Sequence, residues 1–431
     1  LRRFLTSEPM QKTFERGGLD DRTLREGGAY DNPDRDHQGF GTLATMDDLV
    51  TRTREWIAGD PDPETRDELT RLLAEGAHDE LAERMAGTLA FGTAGLRGAV
   101  EGGSNRMNRA VVIRATRGLA DFLLARHGGP PGEPVVIGFD ARLSSRQFTQ
   151  DAIGVLTAVG IPVRYFPDPA PTPLVAYAAR ILDAPAAIVV TASHNPPQDN
   201  GYKVYDANAA QIVPPTDKEI AAAIEAVGPA NAVPRLEGAL DGLVELATPV
   251  PTDTFDRYWS EVEAVRPPPP ESTVRVVYTP MHGVGGVPFA RTLALGGRAE
   301  VIPVAEQNEP DGRFPTVSFP NPEEPGALDL AQAAADQEGA DLILANDPDA
   351  DRLAAAVPTD DGWRILSGNQ IGVLMADYLL DAWDGDERPM VINSIVSTPM
   401  LGSIADAHGA RFEQTLTGFK WIANAALDLE E

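Results

Sequence analysis

The sequence contains AIVVTASHNP at residues 187–196 and DLILANDPDADR at residues 341–352, two stretches built in the same way. In each, a short apolar run typical of a buried strand ends in a polar loop. Ligands of α/β domains bind beyond the carboxyl ends of the strands, so both loops are candidate functional loops. The likeness between the two stretches predicts repeated α/β domains that each present one such loop.

The chain around these stretches alternates between short β runs and helical patterns. The predicted strands are 135–139, 161–166, 187–190, 274–278, 299–304, 342–344, 390–393 and one near 412. The predicted helices are 147–159, 174–181, 289–295, 327–335, 368–383 and one near 400. Apolar strands that alternate with helices predict an α/β fold with mainly parallel or mixed sheets.

We expect four segments along the chain. Residues 1–45 form a poorly ordered lead, because charged residues outnumber hydrophobic ones there and little surface can be buried. The remaining segments are 46–250, the first domain with the serine loop; 251–366, the second domain with the acidic loop; and 367–431, part of a third domain.

The 431 residues carry 36 Lys and Arg against 65 Asp and Glu, a formal net charge of −29, and no cysteine. The lack of cysteine excludes disulfides, thiolate metal sites and cysteine nucleophiles. The strong negative charge argues against nucleic acid and anionic membranes as partners, because both bind basic surfaces. No run reaches the ~18–20 apolar residues of a membrane-spanning helix. We therefore expect a cytoplasmic protein, either a monomer or a weak dimer.

The loop after residue 190 contains a candidate nucleophile or phosphate carrier, Ser193, and Lys203 follows ten residues later and could return to the same loop. A serine-hydrolase elbow would need glycines where Thr191 and Asn195 stand, which disfavours that class. The alternative is an ordinary turn, because Ser, Asn and Pro are common turn residues. Taken alone, His194 is more often a structural hydrogen-bonding residue than a base.

The second loop contains three carboxylates at alternate positions, Asp347, Asp349 and Asp351. Carboxylates with this spacing can converge on one hard cation, and ligands of oxygen alone suit Mg²⁺ or Mn²⁺. An EF-hand would need Gly and Glu where Arg352 and Pro358 stand, so it is excluded. Two alternatives remain open, an aspartyl-phosphate enzyme with Asp347 as nucleophile and a solvated acidic turn.

Three further segments contain candidate ligands for an anionic substrate. They are GTAGLRG at 92–98 with Arg97, TPMHGVGG at 279–286 with His282, and TGFK at 417–420 with Lys420. Glycine loops and helix starts can bind phosphate through backbone N–H groups, and arginine can do so through its guanidinium. Each segment also has a plain structural alternative: a glycine turn with a solvated arginine, a helix start, and an exposed lysine.

Taken together and in this order, the segments resemble the α-D-phosphohexomutase family, most closely its phosphoglucomutase/phosphopentomutase branch. The resemblance extends from about Asp47 to the end and rests chiefly on the serine loop, NGYK at 200–203 and the acidic loop. It implies consecutive α/β domains of this family with mixed sheets. The family has four domains, and its sugar-selecting loop and distal-phosphate domain have no counterpart in these residues. We therefore expect an incomplete third domain, no fourth domain and weak mutase activity for this polypeptide.

The resemblance also implies a role for each candidate residue. Ser193 would be the phosphoserine, and Mg²⁺ would be held by Asp347, Asp349, Asp351 and an oxygen on Ser193. The residues beside the transferred phosphoryl group would be His194, Lys203, Arg97 and Arg352. The residues on the substrate side would be His282, Lys420, Thr417 and Gly418.

The implied enzyme is an isomerase, an intramolecular phosphotransferase that interconverts hexose 1-phosphate and hexose 6-phosphate, with glucose as the expected sugar. The reaction would pass through the phosphoserine and a sugar 1,6-bisphosphate, which would also be the activator. The alternatives within the family are a phosphopentomutase and a phosphomannomutase. Outside it, they are an aspartyl-phosphate phosphatase using Asp347 and a non-catalytic protein that binds sugar phosphates.

Overall fold

The structure, a computed structural model, describes residues 45–92, 95–267 and 272–430. The N-terminal lead predicted for residues 1–45 therefore lies outside the described residues, except for Thr45. Among the helices in the described ranges, none is both long enough and apolar enough to cross a lipid bilayer.

Three short helices precede the first sheet: α1 (Met46–Gly59), α2 (Pro63–Glu75) and α3 (His78–Arg84). Helix α1 begins with a capping box, in which the Thr45 hydroxyl accepts from the Asp48 N–H and the Asp48 carboxylate accepts from the Thr45 N–H. These helices bury a small core of their own, formed by Leu49, Leu69, Leu72, Leu81 and Met85.

The first α/β unit contains six strands in one sheet. They are β1 (Leu96–Ala99), β2 (Val135–Phe139), β3 (Val163–Tyr165), β4 (Ala186–Val190), β5 (Asp199–Asp206) and β6 (Ala247–Pro249). The helices of this unit are α4 (Arg109–His127), α5 (Ser145–Ala158), α6 (Thr172–Ile181) and α7 (Thr216–Glu225). The strand order is β1–β5–β4–β2–β3–β6, with β4 parallel to β2 and antiparallel to β5.

The second α/β unit repeats the central part of this topology. Its strands are β7 (Val274–Thr279), β8 (Ala299–Pro303), β9 (Leu342–Asn346), β10 (Leu353–Thr359) and β11 (Gly362–Ile365). Its helices are α8 (Asp253–Val265), α9 (Gly286–Leu295) and α10 (Asp329–Glu338). The order is β11–β10–β9–β7–β8, and β9 lies parallel to β7 and antiparallel to β10. This arrangement matches that of β4 with β2 and β5, which confirms the predicted repetition.

Helix α8 joins the two units. It falls in the segment predicted as the second domain, but its Trp259 is buried with Phe166 and Ala187 of the first unit. On its other side, the Arg291 guanidinium of α9 lies over the Trp259 ring, 3.9 Å from the centroid. The two units are thus packed through α8 as well as through their functional loops.

The third unit contains a parallel two-stranded sheet. Its elements are α11 (Gly368–Asp381), β12 (Met390–Ser394), α12 (Met400–His408), β13 (Arg411–Thr415) and α13 (Phe419–Glu430). Helix α13 contacts the first unit, where the Asn424 amide donates to the Gln211 carbonyl at 3.1 Å and accepts from the Asn208 amide at 2.9 Å. This contact brings the third unit against the side of the first unit near β5.

Candidate active site

Ser193 lies directly beyond β4 in a tight turn that we call the serine loop (residues 191–196). Its φ of 53° is in the left-handed region that few residues other than glycine adopt. Its N–H donates to the Thr191 hydroxyl at 2.8 Å. The residue is 1% exposed, and its Oγ donates to Asp347 Oδ2 at 2.7 Å. The predicted phosphate carrier therefore touches the acidic loop of the second unit.

Arg142, a residue that the sequence motifs did not indicate, fixes the serine loop through hydrogen bonds. Its guanidinium donates to the carbonyls of Ser193 at 2.8 Å, Pro196 at 2.7 Å and Asp199 at 2.9 Å. It also donates to the Asn195 carbonyl. A planar guanidinium with several N–H groups can satisfy such a ring of carbonyls, which fixes the path of the loop.

Asp140 partners Arg142 in the interior of the first unit. Its carboxylate accepts from the hydroxyls of Thr191 at 2.7 Å and Ser145 at 2.6 Å, and it lies 3.3 Å from Arg142 Nε. Burial raises the pKa of Asp140, and the charge of Arg142 opposes that effect. A signal in the sequence could have found this pair, because Asp140 directly follows the buried strand β2 as Thr191 follows β4.

The three aspartates of the acidic loop (residues 347–352) converge as the sequence predicts. One oxygen from each of Asp347, Asp349 and Asp351 lies within 4.8 Å of the others. Oδ1 of Asp349 is buried and has no hydrogen-bond partner in the described part of the chain. An unpaired buried carboxylate oxygen is unfavourable unless a cation or donor meets it. Three carboxylates beside a serine hydroxyl are a donor set that fits Mg²⁺.

The electrostatics of the acidic loop also favour a cation. Burial and the charges of Asp349 and Asp351 raise the pKa of Asp347 well above its usual value. This shift reflects the free energy needed to hold the buried Asp347 carboxylate out of water beside two other carboxylates. A bound divalent cation would relieve that repulsion.

Lys203 lies on β5 with its ammonium group among these carboxylates. Its Nζ donates to Asp349 Oδ2 at 2.6 Å and to Asp351 Oδ2 at 2.8 Å. Burial alone would lower the pKa of Lys203, but the two carboxylates outweigh burial and hold the pKa above its usual value. Lys203 is therefore a cation in this arrangement.

Thr172, at the start of α6, is a second residue that the sequence reasoning missed. Its hydroxyl donates to Asp349 Oδ2 at 2.7 Å, and its N–H donates to the Asp349 carbonyl at 2.9 Å. Burial would raise the pKa of Asp349, but Lys203 and Thr172 more than offset burial and lower it. Thr172 belongs to the first unit, so it fixes the orientation of an acidic-loop ligand across the domain junction. No spacing in the sequence signals a contact over 177 residues.

Three further cationic or basic residues surround the serine and acidic loops. Arg97 donates from Nη1 to the Asn195 side chain at 3.3 Å. Arg352 is half exposed, with Nε 3.9 Å from Asp347 Oδ2. Burial, followed by the charges of Arg352 and Arg97, lowers the pKa of His194 to about 3. The His194 ring is thus neutral, and its Nδ1 lies 3.3 Å from Ser193 Oγ.

His282 belongs to a loop whose backbone contacts the acidic loop: the Val284 N–H donates to the Pro348 carbonyl at 2.9 Å. The ring nitrogen Nε2 of His282 is 2.8 Å from the Thr316 hydroxyl, and the residue is buried with a φ of 61°. The following residue, Gly283, packs so tightly that an added Cβ would lie 2.5 Å from Pro348 Cα. The structure therefore gives this loop a supporting position under the acidic loop, and the His282 side chain bonds within the second unit.

Lys420 reaches the first unit at the glycine loop. Its Nζ lies 3.4 Å from the Gly92 carbonyl, and burial lowers its pKa. Thr417 is exposed, and Gly418 has a φ of 110° at the turn before α13. Of these three residues, Lys420 is the one shown beside Gly92. Within the described residues, none of the three forms a hydrogen bond with Ser193 or the aspartates.

Family models match most of the described chain. The models of phosphoglucomutase/phosphomannomutase alpha/beta/alpha domains I, II and III match residues 88–230, 256–362 and 367–430 in turn. The match to domain I contains the serine loop and Lys203, and the match to domain II contains the acidic loop.

Several curated proteins are similar to most of the chain. The phosphopentomutase of Homo sapiens is 39% identical over 413 residues, which are 91% of this chain and 66% of that protein. The phosphoribomutase of Saccharomyces cerevisiae is 38% identical over 417 residues, 91% of this chain and 67% of that protein. The glucose 1,6-bisphosphate synthase of Homo sapiens is 36% identical over 406 residues, 89% of this chain and 64% of that protein. The chain thus spans about two thirds of the length of these relatives.

A solved structure shares the fold. The crystal structure of a phosphoglucomutase/phosphomannomutase family protein from Burkholderia thailandensis has a TM-score of 0.63 and 22% sequence identity. The likeness covers 79% of this chain and 68% of that one.

Proposed function

Because the chain belongs to the phosphoglucomutase/phosphomannomutase family, we propose that it is a phosphosugar mutase that carries the transferred phosphoryl group on Ser193. The observation that supports this most strongly is the hydrogen bond of Ser193 Oγ to Asp347 at the junction of two units. A buried hydroxyl beside three carboxylates and several cations has the surroundings that phosphoryl transfer needs. That reaction depends on positioning and charge neutralisation more than on covalent chemistry by the protein.

The metal belongs to the same proposal. Mg²⁺ held by Asp347, Asp349, Asp351 and a phosphoserine oxygen would neutralise charge on the transferred phosphoryl group. Arginine side chains of the protein would bind the phosphoryl oxygens that the metal does not contact. Arg97 and Arg352 flank the serine loop and can each direct two N–H groups at a phosphate.

The protonation states of His194 and Lys203 limit the roles that these residues can have. A neutral His194 ring can exchange a hydrogen bond with the serine oxygen without adding charge to the site. Lys203 is protonated and can donate to a phosphate or sugar oxygen. To act as a base it would first have to leave Asp349 and Asp351, which hold its proton in place.

The proposed substrate is a sugar phosphate, with glucose as the first candidate sugar. The expectation of glucose rests on the loops around Arg97 and Lys420. The relatives named phosphopentomutase and phosphoribomutase favour a pentose phosphate as a second candidate. A sugar bisphosphate would be the intermediate for either ring, formed when Ser193 donates its phosphate and consumed when the other phosphate returns to it.

Intact-mass analysis tests the proposal directly. The full chain is incubated with Mg²⁺ and glucose 1,6-bisphosphate or ribose 1,5-bisphosphate, and the gain of one phosphoryl mass is followed. We expect an acid-stable phosphate that Ser193→Ala abolishes. Ser260→Ala, at an exposed position of α8, is the matched control and should leave labelling unchanged.

The same experiment separates the alternatives. Label that survives Ser193→Ala and is released by mild alkali would identify an aspartyl phosphate at Asp347 and overturn the mutase. Binding of either bisphosphate without any gain in mass would show a sugar-phosphate binding protein. The bisphosphate that labels faster identifies the preferred ring.

A further inference from the structure

A cleft of about 430 Å³ lies where the N-terminal helices meet the first α/β unit. Its walls come from α1, from the segment after α3, from α4 and from the turn after α7. The cleft is built firmly, because the Asn231 amide donates to the Ala58 carbonyl at 2.8 Å and a Cβ on Gly59 would lie 2.7 Å from Pro229 Cβ. None of its lining residues belongs to the site around Ser193.

The cleft contains a cation without a counter-ion. Arg114 of α4 is half buried, and its one hydrogen bond within the described part of the chain runs from Nη2 to the Val227 carbonyl at 3.1 Å. A guanidinium has five N–H donors, so most of them are unused. No carboxylate of the described residues lies within ion-pair distance of it. Burial, with no opposing charge, lowers the pKa of Arg114.

Several arginines of the N-terminal helices and the first unit differ from Arg114 in being paired with carboxylates. Arg84, Arg106, Arg109, Arg117 and Arg126 each form an ion pair with a carboxylate. A partly desolvated charge without a partner destabilises the fold, and its retention is typical of a site that receives an anion.

The indole of Trp56 also lines the cleft. The Arg114 guanidinium lies 5.9 Å from the Trp56 ring centroid. Both Trp56 Nε1 and Arg114 Nε are buried without a hydrogen-bond partner in the residues that the structure covers. The rest of the wall contains apolar residues such as Met85, Ala110 and Pro229, and at its α1 side the charged residues Arg52 and Glu55. Trp56 thus offers a flat face and Arg114 offers charge at the same place.

We propose that this cleft is a second ligand site, which binds a phosphate monoester carried on a flat or sugar ring. The phosphate takes the unused N–H groups of Arg114, and the ring packs on Trp56 and the apolar wall. The volume suits a ligand of the size of a nucleoside monophosphate or a pentose phosphate. The residues of this cleft are separate from those around Ser193, so ligand binding here is independent of the function proposed for Ser193.

Fluorine NMR of the full chain labelled with 5-fluorotryptophan tests this site locally. The five tryptophans give five resonances, and Trp56→Phe assigns the one in the cleft. AMP and ribose 5-phosphate are titrated as probes, with adenosine and inorganic phosphate as partial ligands. We expect at least one ring-bearing phosphate to shift the Trp56 resonance in a saturable way, and each partial ligand to bind at least about tenfold more weakly.

Variants on α4 provide the control. Arg114→Gln should weaken the binding of that probe at least about tenfold, because it removes the charge while keeping a side chain of similar length. Arg117→Gln, one turn along and outside the cleft, should leave binding unchanged. Arg114→Lys, which keeps the charge, checks the result if the glutamine variant unfolds. The proposal is overturned if the Trp56 resonance does not shift with millimolar probe, if adenosine or inorganic phosphate binds as well as the esters, or if neither Arg114 variant weakens binding.

Discussion

A single guanidinium, that of Arg142, donates hydrogen bonds to the carbonyl groups of Ser193, Pro196 and Asp199 in the segment that carries the candidate nucleophile. The side chain is buried and paired with Asp140, so it positions the loop without reaching a substrate. At this scale the sequence indicated Ser193, the three aspartates, Lys203 and the two arginines of the site, because they stand in short local motifs. Thr172 acts across the fold, and no local pattern marks it. Arg142 stands two residues after Asp140 at the end of β2, and that signal was not used.

Arg142→Lys tests the positioning of the serine loop. A lysine keeps the charge but cannot donate in several directions within a plane. We expect phosphorylation of Ser193 by a sugar bisphosphate to slow about 100-fold, as small misplacements of reacting groups do. Amide hydrogen exchange of residues 193–199 should rise in parallel. Arg146→Lys, at an exposed position of α5, should change neither measurement.

Thr172→Val tests whether a hydroxyl from the first unit orients Asp349. Valine has nearly the same shape but cannot donate to Asp349 Oδ2. Loss of a residue that orients a metal ligand typically weakens metal binding about 10–100-fold. We expect that loss for Mn²⁺ measured by electron paramagnetic resonance, and Thr172→Ser should restore most of the affinity. Equal affinity in the valine and serine variants would contradict this role.

At the scale of elements, the strand and helix predictions were confirmed where apolar runs stood out. They missed α4 and β10, which are rich in apolar residues, and they also missed β5. The sequence of β5, DNGYKVYD, has charged ends and a polar centre. The structure buries β5 because distant partners satisfy its polar groups. Asn200 donates to the hydroxyls of Ser144 and Ser145, and Lys203 donates to carboxylates of the second unit. Hydrophobic periodicity cannot reveal a buried strand whose side chains are paired in this way.

In the second unit, the loop that contains Gly283 packs directly against the acidic loop at Pro348. Gly283→Ala tests whether this packing affects metal binding. The added Cβ would meet Pro348 backbone atoms at 2.5 and 2.6 Å, so the acidic loop must move. Overpacking of this kind costs about 1–3 kcal/mol. We expect weaker Mg²⁺ binding by calorimetry, although Gly283 supplies no ligand. Gly372→Ala in α11, which has open space around it, is the control and should bind Mg²⁺ normally.

At the scale of the whole molecule, the candidate site exists only where the first and second units meet. Its contacts cross that junction: Ser193 to Asp347, Thr172 to Asp349, and Lys203 to Asp349 and Asp351. The sequence predicted two domains with one functional loop each. The residue pattern alone could not show that the loops bond to one another, because that depends on the packing of the units through α8. Only the family resemblance implied it, by giving Ser193 and the three aspartates one shared cation.

A cation at the junction should therefore stabilise the two units together. A ligand that binds only the folded state stabilises it by about 2.7 kcal/mol at 100 times its Kd, so saturating Mg²⁺ should raise the unfolding temperature in calorimetry. Asp349→Asn should abolish that rise, because it removes the buried carboxylate with the unpaired oxygen. Asp381→Asn, at an exposed end of α11, should retain it. If Mg²⁺ raised the unfolding temperature of Asp349→Asn as much as that of the unchanged protein, the stabilising cation would bind elsewhere in the molecule. The junction would then have lost a buried ligand while the stabilisation by Mg²⁺ remained.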